Sequence, residues 1–207
     1  MTMRLRQLEM RLQGLSGFLD PRPDLEQYPT PAALAARLLF LAAGNGDIQN
    51  RSVLDLGTGT GVLACGAALL DAAEVVGLEL DTGALAVART NADRLGLEIV
   101  LLAGSVDDPP DPIRDRVFDT VVMNPPFGAQ SRHADRPFVD LALGHGRIVY
   151  GIFNAGTLPF LERYVGDRGR CEESFRASLV LPRSMRHHTK DRVEIPVECV
   201  RIRSLLV

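Results

Sequence analysis

Between residues 52 and 124 the chain repeats one pattern, and that pattern limits the kind of sheet it can build. Val53 to Leu56 is a short apolar run, followed by a glycine-rich turn and the apolar stretch Val62 to Leu70. Val75 to Leu80 precedes Gly83 to Leu95, Ile99 to Leu102 precedes a loop rich in Pro and Asp, and Val117 to Asn124 closes the series. Short β-branched runs bounded by turn residues read as strands, and the longer Ala/Leu segments between them read as helices. Strands joined through helices lie parallel, because the chain must cross over the sheet before it can add the next one.

Downstream, Arg147 to Phe153 predicts a fifth strand, Leu158 to Val165 a helix, and Phe175 to Leu181 with Val193 to Leu205 two last strands. Pro182 to Arg192 is long enough to be the loop of a hairpin between them. Upstream, Met3, Leu5, Leu8 and Leu12 stand at near-helical spacing, so residues 3–13 are expected to form a short helix before Gly14 and Gly17. A connector, Asp20-Pro21-Arg22-Pro23, leads to Glu26-Gln27-Tyr28-Pro29-Thr30-Pro31. There Thr30 can cap, and Pro31 can open, an Ala/Leu-rich helix running to about Ala43.

At 207 residues the chain is expected to be a single domain over 1–207, with an N-terminal appendage and covering segment over 1–30 and a core over 31–207. It contains no apolar run of about 18 residues, and Arg4, Arg6, Glu9 and Arg11 occupy the place of a signal core. We therefore expect a soluble, cytoplasmic protein with no membrane contact. Cys65, Cys171 and Cys199 form neither a CxxC pair nor a Cys/His metal spacing, so they read as reduced thiols and no metal is expected. A net charge of −3 gives no general attraction to nucleic acid, which leaves local patches. One is the tail, where Arg183, Arg186, Lys190, Arg192, Arg201 and Arg203 with His187 and His188 face three acids in the last 31 residues. Its basic loop is either a phosphate-contacting surface or a solvated hairpin.

Two motifs carry chemistry. Asp55-Leu56-Gly57-Thr58-Gly59-Thr60-Gly61 closes the first strand and opens a helix, where glycines let the backbone turn sharply and approach a ligand beside a helix N-terminus. Glu79 and Asp81 end the second strand, where an acid can accept both hydroxyls of a ribose or cap the next helix. GTGTG lacks the GxGxxG spacing of a pyrophosphate site, which favours a cofactor with a nucleoside and an amino acid end over a dinucleotide.

The second motif is Asn124-Pro125-Pro126-Phe127, followed by Gly128. Two prolines end the strand without donating to a ladder and stiffen the backbone where it leaves the sheet. A purine amine or a carboxamide nitrogen has a delocalised lone pair and is a poor nucleophile. A carboxamide oxygen on Asn124 and the carbonyl of Pro125 can each accept one N–H, favouring the pyramidal nitrogen, while Phe127 stacks on the ring. Asn-Pro-Pro is also an ordinary strand-ending turn.

Together, DLGTGTG, the acidic end of the second strand and NPPF resemble class I S-adenosylmethionine-dependent methyltransferases that modify planar amines. EQYPT, NPPFG and the tail LPRSMRHHTKDRVEIPVECVRI make the chain resemble, nearly end to end, the methyltransferase-like protein 5 family of small-subunit ribosomal RNA adenine-N6 methyltransferases. That resemblance implies a Rossmann-like, seven-stranded, mostly parallel sheet with helices on both faces and a C-terminal antiparallel hairpin. It implies S-adenosyl-L-methionine held by Gln27, Thr30, Asp55, Gly57, Gly59, Thr60 and Val62, with Glu79 on the ribose. Ser105, followed by Val106 and Asp107, stands where an acid commonly meets the adenine. Phe153-Asn154 replaces a His-Lys pair of eukaryotic members, so no cationic role carries over. Asn124, Pro125, Pro126 and Phe127 would hold an unpaired adenine, and Arg183, Arg186, Lys190 and Arg192 would meet RNA phosphates. A small zinc-binding activator subunit would pair near the third strand, at Ile99, Val100 and Leu101. NPP-aromatic sites also resemble those of guanine-N2, DNA adenine-N6 and protein glutamine-N5 methyltransferases, and a non-catalytic RNA-binding scaffold would keep the same fold.

Overall fold

A computed structural model describes residues 3–128, 133–182 and 192–207. In chain order the elements are α1 (Leu5–Gln13), α2 (Ala32–Gly44), β1 (Ser52–Leu56), α3 (Val62–Leu69), β2 (Glu74–Glu79), α4 (Thr82–Leu95) and β3 (Val100–Ala103). They continue with α5 (Asp111–Arg114), β4 (Phe118–Met123), α6 (Arg136–His145), β5 (Gly146–Asn154), α7 (Leu158–Val165), β6 (Gly169–Pro182) and β7 (Arg192–Ser204). The strands form one seven-stranded sheet in the order β3-β2-β1-β4-β5-β7-β6. Its first five strands are mutually parallel, while β7 runs antiparallel to both β5 and β6. This is the expected α/β architecture with its C-terminal hairpin.

Alternation along the strands sends side chains to two cores. Val53, Val75, Val122, Tyr150 and Ile152 pack with α1, α2 and α3. Leu54, Leu56, Val76, Leu78, Val121, Met123 and Val149 pack with α6 and α7 on the opposite face. Because both faces are covered, the parallel strands read as continuous apolar runs rather than as alternating ones. Helix α1 contributes Leu8 and Leu12, both buried, to the same core as α2 and α3. No helix among the described residues is long and apolar enough to cross a membrane.

Several boundaries differ from the sequence reading. Thr30 does not cap α2; Pro31 occupies the N-cap position and the helix begins at Ala32. The third strand is Val100–Ala103, one residue later than expected, paired in register with Val76 to Glu79. Helix α6 has no counterpart among the elements expected from the sequence. It carries Val139, Ala142 and Leu143 into the core and runs directly into β5 at Gly146. The three cysteines are unpaired, and burial pushes Cys65 and Cys199 up to about 12, so they stay protonated thiols in the neutral range.

Candidate active site

In the sheet, β2 and β4 lie on either side of β1, and the connections leaving β1 and β4 diverge to opposite faces. The crevice beyond the carboxyl ends of such strands is where open α/β sheets bind ligands. Leu56 pairs with Leu78 on one side and Met123 on the other, so the glycine turn, Glu79 and Asn124 all emerge at one rim. A cleft of about 440 Å³ lies there.

The turn after β1 needs its glycines. Gly57, Gly59 and Gly61 have φ of 68°, 54° and 85°, a region that side-chain-bearing residues rarely adopt. Aromatic rings also rest on the first two. A Cβ on Gly57 would stand 2.9 Å from Phe138, and one on Gly59 would stand 3.0 Å from Phe18. Asp55 is buried beneath the turn, where its Oδ2 accepts the Thr58 hydroxyl at 2.7 Å and the Ala64 N–H at 2.9 Å. Its Oδ1 is buried with no partner among the described residues. Burial, only partly offset by those two bonds, pushes the Asp55 carboxyl up to about 7.

Glu79 is also buried. Its Oε2 accepts the Gly59 N–H at 2.8 Å and its Oε1 the Asp81 N–H at 2.9 Å, which ties the end of β2 to the glycine turn. The neighbouring acid caps a helix: Asp81 accepts the Gly83 N–H at the start of α4. Asp81 also accepts Gln27 Nε2 at 2.8 Å, and this bond holds its carboxyl below the usual range. Gly104, Ser105, Val106 and Asp107 line the far end of the cleft, where the Ser105 hydroxyl accepts the Asp107 N–H at 3.2 Å.

Across the cleft stands the tetrapeptide after β4. Asn124 Nδ2 donates to the Thr30 hydroxyl at 3.0 Å, while Asn124 Oδ1 is buried and unpartnered among the described residues. Glu26 Oε2 accepts the consecutive N–H groups of Phe127 and Gly128 at 2.7 and 3.1 Å. The Tyr28 ring packs on Phe127 at 5.5 Å between centroids, tilted by 45°. Asn154 Nδ2 donates to the Phe127 carbonyl at 3.2 Å. On the far side of the tetrapeptide a second cavity, about 280 Å³, is lined by Pro125, Phe127, Phe153, Asn154, Thr157 and Phe160 among others.

Of the residues read from the sequence, Gln27, Thr30, Asp55, Gly57, Gly59, Thr60, Val62, Glu79, Ser105, Val106, Asn124 and Pro126 line the larger cleft. Pro125 and Phe127 line the smaller one. Arg183, Arg186 and Lys190 lie outside the described residues, and Arg192 opens β7, its backbone opposite Pro182. No cluster of metal-ligating side chains occurs among the described residues. Phe18, Phe138 and His133, which also line the larger cleft, and the Glu26 and Asn154 bonds to the segment after β4 carry no local sequence signal.

The donor side fits a molecule with a nucleoside and an amino acid end: an acid beside a glycine cradle, an unpaired buried carboxylate oxygen under it, and a polar turn at the far wall. Residues 34–146 match the family described as methyltransferase small domain, which places the chain among class I methyltransferases that use S-adenosylmethionine. Over 97% of its length it is 38% identical to an uncharacterized protein of Methanocaldococcus jannaschii, covering 94% of that protein. It is 34% identical to the rRNA N(6)-adenosine-methyltransferase METTL5 of Danio rerio, across 96% of this chain and 98% of that one. A solved chain from Pyrococcus horikoshii, described as a candidate RNA methyltransferase, superimposes with a TM-score of 0.89 at 35% identity, covering 99% of each. The chain belongs to the METTL5 family of methyltransferases.

Proposed function

We propose that the protein methylates N6 of an adenine in small-subunit ribosomal RNA. The observation that carries this reading is Asn124, whose carboxamide is anchored at Nδ2 and presents a buried, unpaired Oδ1 beside the donor cleft. A buried carbonyl oxygen without a partner is costly, and an incoming N–H removes the cost. The relatives named rRNA N(6)-adenosine-methyltransferases supply the acceptor class.

On the donor side, Glu79 would hold the ribose hydroxyls, Gln27, Asp55, Gly57, Gly59, Thr60 and Val62 would surround the amino acid end, and Ser105 and Val106 would flank the adenine. When bound, S-adenosylmethionine supplies an electrophilic methyl carbon on a sulfonium sulfur. On the acceptor side, Asn124 Oδ1 and the Pro125 carbonyl accept the two N–H groups of the adenine amine, drawing it from planar toward pyramidal and aiming its lone pair at the donor. Pro125 and Pro126 keep that geometry stiff. Phe127 offers its ring to the base, in a recess shared with Phe153 and Phe160. The product nitrogen is acidic and gives its extra proton to water, so positioning rather than a general base supplies the acceleration. A paired adenine cannot reach this recess, so the target is an unpaired or extruded nucleotide.

The basic segment at residues 183–192 is proposed to meet RNA phosphates. We further propose that a small zinc-binding activator subunit pairs along β3. Support comes from the position of β3 at the sheet edge with a single neighbouring strand, and from the exposure of Val100. The proposed place of action is the cytoplasm, in keeping with an rRNA substrate. The test of the whole reading is incubation with labelled cofactor and, separately, ribosomal subunits, free rRNA, DNA and a release factor, followed by mass spectrometry of the product. Label on an rRNA adenine is expected; label only on a glutamine side chain or on DNA would reject it.

A further inference from the structure

Residues 26–30 do more than border the donor cleft, because they make three separate contacts with the loop that follows β4. The Thr30 hydroxyl accepts from Asn124 Nδ2 at 3.0 Å, Tyr28 packs on the Phe127 ring, and Glu26 accepts two consecutive backbone N–H groups from Phe127 and Gly128. A carboxylate that receives two amide donors forms short, charge-assisted bonds. Glu26 also sits at φ 51° and ψ 39°, a left-handed conformation that a residue with a side chain adopts only when its surroundings hold it there.

A carboxamide is nearly symmetric in shape, yet its two ends are opposite in hydrogen bonding. Turned one way, Asn124 shows an acceptor to the amine; turned the other, it shows two donors to a group that is itself a donor. With the hydroxyl in place, the productive orientation leaves Nδ2 paired, so only Oδ1 waits for a partner. Without it, the productive orientation would leave the part-buried Nδ2 without this partner as well, and the carboxamide would be held less firmly.

We propose that Thr30 is a positioning residue for Asn124, holding its carboxamide so that Oδ1 faces the acceptor amine, while Glu26 fixes the backbone of the same loop. This rests on the planar-amine reading of the site but not on which planar amine is used. The segment that covers the donor thereby also sets the acceptor geometry.

The experiment compares Thr30→Val, which keeps shape and removes the hydroxyl, with Thr30→Ser, which restores it. On the acceptor that the wild-type protein methylates, at saturating cofactor, Thr30→Val should lower the single-turnover rate about tenfold, the scale of one lost hydrogen bond. Cofactor affinity should fall by much less than the rate does, and Thr30→Ser should recover most of the rate. If Thr30→Val does not fold, Thr30→Ala, which adds no bulk, carries the same expectation. Glu26→Ala should lower the rate as well, with Glu26→Gln, whose oxygen still accepts, closer to wild type. A Thr30→Val protein with weakened cofactor binding and an unchanged rate at saturation would make Thr30 a donor contact and overturn the proposal, as would failure of Thr30→Ser to rescue. A direct reading needs no acceptor: the Asn124 side-chain NH2 protons should exchange faster with solvent in Thr30→Val than in wild type, and equal exchange would overturn the assignment. Transfer by the wild-type protein to something other than an rRNA adenine would reject the proposed function and leave these comparisons to be read on that acceptor.

Discussion

At Asn124 one end of a carboxamide is anchored and the other is buried without a partner, so its removal takes away an acceptor that no neighbour replaces. Asn124→Ala should reduce methyl transfer by roughly 100-fold or more, the cost of losing one preorganised hydrogen-bonding group, and leave cofactor binding near wild type by calorimetry. Asp55 gives a second prediction. Its carboxyl rises from an ordinary 3.8 to about 7 on folding, so between those values the folded protein holds a proton that the unfolded chain has released. The contribution of Asp55 to stability is therefore present below about pH 4 and lost as pH rises through about 7. In Asp55→Asn the loss of thermal stability between pH 5 and 7.5 should be smaller than in wild type, as melting curves across that range would record. At this scale the sequence is readable where a motif is contiguous, as in Asn124-Pro125-Pro126-Phe127. It is silent where the partner is distant: Glu26 meets Phe127 across 101 residues, and nothing local to either announces the bond.

Among the elements, the parallel strands and their helices were legible because continuous apolar runs separated by glycine turns admit few other arrangements. Helix α6 was not, although Phe138, Val139, Leu141, Ala142 and Leu143 carry a helical spacing. It passes into β5 at Gly146 with no separating loop, so helix and strand merge into one apolar stretch. Thr30 misled in the other direction, since a Thr before Pro is a good cap by type, yet its hydroxyl faces Asn124 instead. Helix α1 is bound into the core by Leu8, so Leu8→Ala should cost about 2–5 kcal/mol in urea unfolding. Edge strand β3 behaves differently. Val100 is 47% exposed, and Val100→Asp should leave stability nearly unchanged while weakening association with the proposed zinc-binding subunit, measured by co-purification of the two chains. A protein that is monomeric and fully active alone would remove that partner.

For the whole molecule, a net charge of −3 means that RNA is not drawn in by the protein's overall field. Attraction must come from local basic segments, of which residues 183–192 are the densest in the tail. Arg186→Glu with Lys190→Glu should weaken RNA binding and flatten its dependence on salt, with cofactor affinity unchanged, in filter-binding titrations from low to high ionic strength. Unchanged RNA affinity would remove that segment from RNA contact.

The buried amide of Asn91 has a bearing on how this protein is handled. It accepts the Ser16 N–H and donates to the carbonyls of Ser16 and Thr60, and so stitches the chain after α1 to the glycine turn, two residues before Phe18 lies over Gly59. A shortened version starting at residue 18, trimmed as though only a tail were being lost, would leave Asn91 with empty bonds and free the ring that roofs the turn. Such a protein would also lose the buried Leu8 and Leu12 from the core, and inactivity that comes from a weakened fold and an unroofed turn would be mistaken for the wrong substrate.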